Sequence, residues 1–400
     1  MLAVTDLPVL EDLPDPAGKA VLVRSDLNVP LVPASGGIGG GIADDFRLRA
    51  SVPTIAWLAR AGARITVCSH LGRPGGRPDP RYAMAPVARR LTELVAQAVG
   101  EEQVSLTVME NLRFDPGEES NDPGFVDRLV EGQDLYVDDA FGSAHRAHAS
   151  VVGPPARLPS AAGRVLYRET EVLGRLLEGA ARPFVAVIGG AKVSDKIGLV
   201  GSLLDKAEAV MVGGGMCFTF LAALGHGIGD SLVEPAQIEA CRALLDSGRR
   251  LVVPTDVVAL GPNGRDVRVV GRTVPDGWKG LDIGPGTAAE LADELAGAGT
   301  VFWNGPMGVF EDERFAAGTA AVARAVAECG GFTVVGGGDS AAALASLGLD
   351  GAVDHLSTGG GASLELLEKG DLPGLAALRR SFLGSVGLSS GGESREVHDG

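Results

Sequence analysis

The chain has 400 residues, a length that can bury a core without disulfide bonds. Its composition, 45% hydrophobic and 22% charged, argues against general disorder. The formal net charge of −16 at pH 7 argues against binding to nucleic acid or to an anionic membrane, because such a surface repels phosphate groups. We expect a cytoplasmic protein for three reasons. The four cysteines are dispersed, the first residues do not resemble a signal peptide, and no apolar run is long enough to span a bilayer.

Short apolar runs alternate with helix-like segments along the whole chain. In the first part this pattern predicts strands at 21–23, 64–68 and 135–137, and helices at 49–61 and 85–98. In the second part, strands are predicted at 184–188, 209–212 and 332–335, with helices after Ser194 as N-cap and at 321–327 and 341–347. Strands that end in glycine clusters and alternate with helices indicate an α/β fold with parallel sheets and helices on both faces.

The best candidate for a domain boundary is the segment 153–183, which begins Gly153-Pro154-Pro155 and ends Arg182-Pro183. Its polar central stretch predicts a connecting helix over 166–180, between an N-terminal domain at 1–165 and a C-terminal domain at 181–370. Residues 31–43 form a glycine-rich loop or insertion, and the tail after Gly384 is predicted to be mobile because it is rich in glycine, serine and charge.

Arginines recur in the predicted loops of the N-terminal half, and most of them follow a strand. They are Arg24, Arg47, Arg73, Arg113 and Arg146. A single arginine is more often a solvated surface residue, but several on neighbouring strand ends can converge on one small, highly charged anion. The histidines in the same loops, His70, His145 and His148, favour hydrogen bonding to such an anion over partnering a nucleophile.

The C-terminal half offers lysines and glycine-rich turns. Lys192 and Lys196 are four residues apart at a predicted strand-to-helix turn, which would place them on one side of a helix beside its positive end. The alternative is that Lys196 pairs with Asp195 or faces water. Asp339 begins another helix, where it can bind Mg²⁺, cap the helix or do both. The glycines 359–361 form a further candidate nest of backbone amides for an anion.

Neither a Walker A motif nor a strict G-x-G-x-x-G motif is present, so the P-loop and nicotinamide-dehydrogenase interpretations lack their signatures. Instead, a series of stretches between about Lys19 and Gly374 resembles the phosphoglycerate kinase family, in family order. The matching stretches are 24–30, 44–47, 69–74, 110–114, 138–150, 189–196, 213–220, 303–311, 336–340 and 357–363.

The resemblance implies two similar-sized α/β domains, each with a parallel sheet flanked by helices, that are joined by a hinge and enclose a cleft. The first would bind 3-phosphoglycerate or 1,3-bisphosphoglycerate, and the second ADP or ATP with Mg²⁺. The segment 371–400 would return to the first domain, with a mobile tail. The resemblance further implies a monomer that catalyses reversible phosphoryl transfer, and small-molecule partners only.

By position, the resemblance assigns three groups of residues. The triose-phosphate site would comprise Asp26, Asn28, Arg47, His70, Arg73, Arg113 and Arg146. The nucleotide site would comprise Lys196, Gly213, Gly214, Gly284, Glu311, Gly337, Gly338, Asp339 and Ser340, with Glu311 on the ribose and Asp339 on the magnesium. The transfer itself would involve Arg47, Lys192 and Gly360.

Some positions depart from the family's usual pattern. Asp138 stands where asparagine is usual, Ser143 and Ser340 replace threonine, and the insertion at 34–43 precedes Arg47. These departures leave the charged residues of the site in place. They keep open an alternative in which the chain is a non-catalytic or regulatory relative that binds nucleotide.

Overall fold

The computed structural model describes residues 4–32 and 41–389. The described residues divide into two compact units. Unit 1 comprises those of Met1–Glu171 and Asp371–Gly400, and unit 2 comprises Val172–Gly370.

Unit 1 is built on a parallel sheet of five strands in the order β3-β2-β1-β4-β5. The strands are β1 (Ala20–Ser25), β2 (Arg64–Cys68), β3 (Leu106–Val108), β4 (Leu135–Asp139) and β5 (Ser160–Ala162). The central strand β1 pairs with both β2 and β4, so that Val21 lies beside Ile65 on one side and Leu135 on the other. Every residue of β1 is buried, which explains its continuous apolar run.

Helices cover this sheet. Those that begin before unit 2 in the chain are α1 (Phe46–Arg60), α2 (Ala85–Val99), α3 (Gly117–Ser120), α4 (Pro123–Val130), α5 (Ala149–Val152) and α6 (Arg164–Glu178). The apolar faces of α1 and α2 bury Ile55 and Leu91 in one core with Val21, Val23 and Val67 of the sheet. The boundary between the units falls inside α6, which the sequence predicts at 166–180.

Unit 2 contains a parallel sheet of six strands in the order β14-β13-β12-β6-β7-β8 and an antiparallel sheet in the order β10-β9-β11. The strands are β6 (Phe184–Ile188), β7 (Ala209–Val212), β8 (Leu251–Val252), β9 (Asp256–Leu260), β10 (Val267–Gly271), β11 (Lys279–Ile283), β12 (Thr300–Asn304), β13 (Phe332–Gly336) and β14 (His355–Ser357). The antiparallel sheet was not predicted from the sequence.

The remaining helices complete the two units. They are α7 (Ile197–Leu204), α8 (Cys217–Ala223), α9 (Ile238–Leu245), α10 (Pro285–Ala296), α11 (Ala317–Glu328), α12 (Gly338–Ser346), α13 (Gly361–Lys369) and α14 (Pro373–Ser389). In unit 2, Trp303 of β12 is fully buried among Val185, Val187, Leu295 and Val335. None of the helices within the described ranges combines the length and apolar character needed to cross a membrane.

The predicted α/β class with parallel sheets is confirmed, but two local expectations are wrong. First, α1 begins at Phe46 rather than at residue 49, so Arg47 lies in the first turn of a helix and not in a strand-end loop. Two acidic residues explain this early start. The Asp44 carboxylate accepts a hydrogen bond from the Phe46 N–H at 2.8 Å, and Asp45 binds the Arg49 side chain at 2.7 Å.

Second, Ser194 does not cap α7, which begins at Ile197. The Ser194 hydroxyl donates instead to the Glu234 carboxylate at 2.6 Å, and residues 194–196 form a turn. Lys192 and Lys196 therefore do not share one helical face.

The tail after Gly384, whose predicted mobility stays a prediction, is helical up to Ser389. Buried leucines at the start of α14, Leu375 and Leu378, anchor this helix. The Gly374 N–H donates to the Ala144 carbonyl at 2.9 Å, and Arg379 donates to the Val4 carbonyl at 3.1 Å. The rest of the predicted tail, and residues 33–40 of the predicted insertion, lie outside the described residues. Leu31 and Ile42, on either side of that gap, form an antiparallel bridge.

Two consecutive carboxylates, Asp138 and Asp139, lie buried at the carboxyl end of β4. Burial raises the pKa of Asp138 to about 6, although the Ala140 N–H and the charge of Arg24 partly oppose the shift. Burial likewise raises the pKa of Asp139 to about 7. A carboxyl group with a raised pKa holds a proton that the unfolded chain has already released, so stability falls as pH rises through the folded-state pKa.

We therefore expect Asp138→Asn to gain stability relative to the wild type as pH rises through about 6, because the amide does not ionise. The shift from 3.8 to about 6 corresponds to a relative gain on the order of 1–3 kcal/mol at about pH 8. Urea unfolding of both proteins at about pH 5 and about pH 8 measures it. The Asp138 charge also contributes to the raised pKa of Asp139, so its removal lowers that pKa and adds to the gain in the same direction. An equal difference at the two pH values would contradict the prediction.

Candidate functional site

The predicted residues of the N-terminal half lie around the carboxyl edge of the unit 1 sheet. Asp26 and Asn28 follow β1, His70 and Arg73 follow β2, Arg113 follows β3 and Arg146 follows β4. Because these strands are parallel, their carboxyl ends meet at one edge, which is where α/β folds bind ligands. Arg47 is carried by the first turn of α1.

Arg24 is the buried centre of this edge. It is one of the five arginines expected in loops around an anion, but it lies inside β1 and is buried, and the family resemblance does not include it among the triose-phosphate residues. Its side chain donates to the Ser150 hydroxyl at 2.9 Å, to the Ser143 hydroxyl at 3.2 Å and to the Ser25 carbonyl. Burial opposes its charge, but the carboxylate of Glu118 and other nearby negative charges outweigh burial and raise its pKa. The guanidinium therefore stays charged inside the fold.

His70 contacts this guanidinium directly, because Arg24 Nη2 lies 3.1 Å from His70 Nδ1. A guanidinium can only donate hydrogen bonds, so Nδ1 must accept one and the ring proton must sit on Nε2. Burial, reinforced by the charge of Arg24, lowers the pKa of His70 to about 2. His70 is thus a neutral ring with an Nε2–H donor, which suits the hydrogen-bonding role predicted from the sequence.

The loops around the edge are connected by hydrogen bonds. Asp26 and Arg47 form an ion pair, and the Asp26 carboxylate lies against Gly142 with no room for a Cβ there. The Asn28 side chain accepts from the Gly72 N–H at 2.8 Å, while Arg113 donates to the Gly72 carbonyl at 2.9 Å. These bonds connect the Asn28 and Arg113 side chains to the loop that carries Arg73.

Two of the predicted arginines, Arg73 and Arg146, are exposed. Arg146 belongs to the turn after β4, whose Ser143 also binds Arg24. Nearby, the Glu118 carboxylate is fully buried and accepts both the N–H and the hydroxyl of Ser150, at 2.9 and 2.6 Å. The site therefore combines exposed cations with a buried and extensively hydrogen-bonded polar layer beneath them.

In unit 2, a cavity of about 330 Å³ opens at the glycine-rich turns. Its lining includes the predicted residues Gly214, Glu311 and Asp339. The other lining residues are Gly190, Ala191, Gly215, Leu232, Lys279, Gly280, Leu281, Pro306, Gly308 and Val309. The walls are thus mostly glycine backbone and aliphatic side chains, with two carboxylates and one lysine at defined points.

The other predicted glycines lie elsewhere around this region. Gly213 packs against the Met307 sulfur, which leaves no space for a Cβ. Gly284 precedes α10 and packs against the Asp256 carboxylate, and it does not line the cavity. Sequence reasoning missed Leu232, Leu281 and Val309, because isolated aliphatic residues carry no signal that separates a cavity wall from a core.

Lys196 is folded back onto the ends of β6 and β12. Its Nζ donates to the Gly189 carbonyl and to the Asn304 side-chain oxygen, both at 2.6 Å. Burial lowers its pKa to about 8, although the charges of Asp339 and Asp195 oppose the shift. Asn304 in turn donates to the Gly336 carbonyl at 2.7 Å and so links this lysine to the turn before α12. Lys192, by contrast, is exposed.

The turns before α12 and α13 expose backbone amides at helix starts. Gly337 has φ +94° at the N-cap of α12, where only glycine is unstrained, and Gly338 and Asp339 begin the helix. The Ser340 hydroxyl is buried and accepts from the Gly305 N–H at 2.7 Å, so it holds the turn after β12. Gly360, with φ +53°, occupies the equivalent position before α13.

Within the described residues, no three histidine, cysteine, aspartate or glutamate side chains cluster in a way that could hold a metal ion. The single carboxylate of Asp339 fits a different kind of magnesium site. There the ion is bound mainly by the phosphate oxygens of a ligand and takes only one or two ligands from the protein.

Two α/β units that present cationic side chains and amide-rich turns at their strand ends form the framework of a phosphotransferase. A family model described as phosphoglycerate kinase matches residues 10–370. The chain belongs to the phosphoglycerate kinase family, and it is accordingly an enzyme that transfers a phosphoryl group with a carboxyl group as acceptor.

Relatives and solved structures agree with this assignment over nearly the full length. Phosphoglycerate kinase from Frankia alni is 54% identical over 393 residues, which cover 90% of this chain and 97% of that protein. The enzyme from Rubrobacter xylanophilus is 51% identical, with coverage of 90% and 95%. The structure of phosphoglycerate kinase from Coxiella burnetii has a TM-score of 0.84 and 37% identity, and covers 94% of this chain and 99% of that one.

The bond from Arg24 to His70 predicts the protonation state of that ring. In histidine ¹H–¹⁵N spectra, with His70→Gln to assign the signal, we expect a neutral ring protonated at Nε2 that does not titrate between about pH 5 and about pH 9. A midpoint inside this range, or a proton on Nδ1, would contradict the hydrogen-bond assignment.

Proposed function

We propose that the chain catalyses reversible phosphoryl transfer between 1,3-bisphosphoglycerate and Mg²⁺-ADP, giving 3-phosphoglycerate and Mg²⁺-ATP, with the residues assigned below. The observation that carries this proposal is the unit 2 cavity, which combines aliphatic and glycine walls with the carboxylates of Glu311 and Asp339. Apolar walls with a few polar groups are typical of a site for a planar base attached to a polar sugar.

The nucleotide is assigned to unit 2. Leu232, Leu281 and Val309 would pack against the base, and Glu311 would accept hydrogen bonds from the ribose hydroxyls. Lys196 and the amides of the turn at 337–340 would bind the phosphates, since helix N-termini and ammonium groups favour negative charge. Gly213, Gly214 and Gly284 are assigned to the same side, and the close packing of Gly213 and Gly214 supports a structural part in shaping it.

Magnesium is part of the nucleotide substrate in this proposal. Asp339 would supply the protein's ligand, and the bound ion would neutralise charge on the phosphate oxygens. Support comes from the position of Asp339 in the first turn of α12, on the lining of the cavity.

The triose substrate is assigned to unit 1. His70, Arg113 and Arg146 would bind the phosphate that is not transferred, and Asp26, Asn28 and Arg73 would orient the rest of the molecule. Neutral His70 supports this division, because it donates a hydrogen bond without adding charge to a region already dense in arginine.

The chemistry requires charge stabilisation rather than proton transfer. In the ATP-consuming direction the nucleophile is the carboxylate of 3-phosphoglycerate, which is ionised at neutral pH because carboxyl groups of this kind have a pKa of about 3.5. The transferring phosphoryl group spreads negative charge over its oxygens. Lys192, Arg47 and the amides around Gly360 are assigned to stabilise that charge, which is the largest catalytic contribution in reactions of this class.

The same proposal covers the setting in which the enzyme works. We infer a cytoplasmic monomer that acts on small molecules and binds neither nucleic acid nor membrane. The strongly acidic composition supports this inference, since the net charge of −16 leaves polyanion binding to local clusters of cations.

A coupled assay tests the function. With ATP, Mg²⁺ and 3-phosphoglycerate, and with bisphosphoglycerate formation coupled to NADH oxidation, we expect turnover by the wild type. Lys192→Ala is expected to lower kcat about 10²- to 10³-fold with little change in ADP affinity, as for a contact made in the transition state. Arg47→Ala should also lose turnover.

Matched controls are available at exposed ion pairs elsewhere in each unit. Lys369 pairs with Glu365 at the end of α13, and Arg168 pairs with Glu171 in α6. Alanine at either control position should leave turnover within about twofold, as expected for surface ion pairs. Wild-type turnover in Lys192→Ala would remove that residue from the reaction, and an inactive wild type that binds nucleotide would favour the regulatory alternative.

The lowered pKa of Lys196 generates a separate prediction for nucleotide binding. Above about pH 8 much of this lysine is neutral in the free enzyme, so bound phosphates should draw a proton onto it. Calorimetry of ADP binding at about pH 8.5 in two buffers of different ionisation enthalpy should show proton uptake. Lys196→Arg, which stays charged, should abolish it. Equal uptake in both proteins would contradict the assignment.

A further inference from the structure

Glu234 lies between the nucleotide cavity and the loop that carries Lys192. It precedes the short turn at 235–237, and its backbone N–H donates to the Thr219 hydroxyl of α8 at 3.2 Å. Leu232, two residues earlier, lines the cavity. The main chain at Glu234 is therefore attached to the body of unit 2.

The Glu234 side chain binds the lysine loop through both carboxylate oxygens. One oxygen accepts from the Val193 N–H at 2.6 Å and from the Ser194 N–H at 3.0 Å. The other accepts from the Ser194 hydroxyl at 2.6 Å. Hydrogen bonds to an ionised acceptor are stronger than neutral ones, and the pKa of Glu234 is lowered chiefly by the bond from Ser194.

This contact matters because no helix holds Lys192. α7 begins only at Ile197, so the backbone of the preceding turn is not fixed by helical hydrogen bonds. Lys192 is exposed and directly precedes Val193, the residue whose N–H Glu234 binds. The carboxylate, together with the fully buried Val193 side chain, thus fixes the backbone from which the Lys192 side chain extends.

We propose that Glu234 is a positioning residue for the phosphoryl transfer, which holds the Val193–Ser194 turn so that the Lys192 ammonium group meets the transferring phosphoryl group. The inference rests on the role of Lys192 in the proposed function. It assigns to Glu234 no contact with either substrate.

Two other roles for Glu234 predict different kinetics from a positioning role: a purely structural role, and a role in nucleotide binding through Leu232. General destabilisation would lower activity whether or not Lys192 is present. A displaced cavity wall would raise the KM for the nucleotide. A positioning role acts on kcat alone, and only when the lysine is there to be positioned.

A double-mutant cycle separates these cases. We expect Glu234→Ala to lower kcat about 10- to 100-fold, as for a catalytic group displaced by about an ångström, with the KM values for ATP and 3-phosphoglycerate within about twofold. In the Lys192→Ala background the same substitution should lower kcat less than about twofold. Glu234→Gln, which keeps an oxygen acceptor without the charge, should fall between Glu234→Ala and the wild type.

Glu239→Ala is the matched control, since this glutamate lies five positions further along, is 85% exposed and pairs with Arg242 on its own helix. It should retain wild-type kcat. Equal losses from Glu234→Ala in both backgrounds, or a raised KM for ATP with unchanged kcat, would overturn the inference.

The outcome for Lys192→Ala keeps the two proposals apart. If that variant loses turnover while Glu234→Ala does not, only the positioning role is overturned. If Lys192→Ala retains wild-type turnover, the assignment of Lys192 fails, and the role of Glu234 fails with it.

Discussion

The burial of one positive charge organises the carboxyl edge of the unit 1 sheet. A guanidinium removed from water is stable only if its N–H groups find acceptors and a negative charge lies near. Arg24 meets both conditions through two serines, a carbonyl, His70 and the charge of Glu118. These acceptors come from several separate segments of the chain, so the hydrogen bonds of one buried side chain arrange the surface that carries the exposed arginines.

The candidate site of unit 2 is built by different means. It relies on backbone amides at the starts of α12 and α13 and on Lys196, whose ammonium group is held by the Gly189 carbonyl and Asn304. Amides carry no net charge and do not titrate, and they require close approach of the main chain. This requirement explains why glycine, rather than arginine, dominates the turns of this unit.

Much of the fold and part of the site could be predicted from the sequence. The strands 184–188 and 209–212 have the predicted bounds, because fully buried parallel strands need continuous apolar runs and both of these end at glycine. The strand 64–68 also has the predicted bounds, although Arg64 is exposed. The antiparallel sheet was missed, since exposed strands such as β10 lack a continuous apolar run. Ser194 was misassigned because its true partner, Glu234, lies forty residues away in the chain.

The sequence by itself determined the family, the alternation of strands and helices, and which charged residues stand at strand ends, because those properties depend on local order along the chain. Only the tertiary structure decided how these groups are held. Four features depend on contacts between distant segments and on exclusion of water. They are the proton on His70 Nε2, the lowered pKa of Lys196, the raised pKa of the buried Asp138 carboxyl group, and the hydrogen bonds from the turn after Lys192 to Glu234. Burial and partner geometry set hydrogen bonding and protonation, and neither can be read from neighbours in sequence.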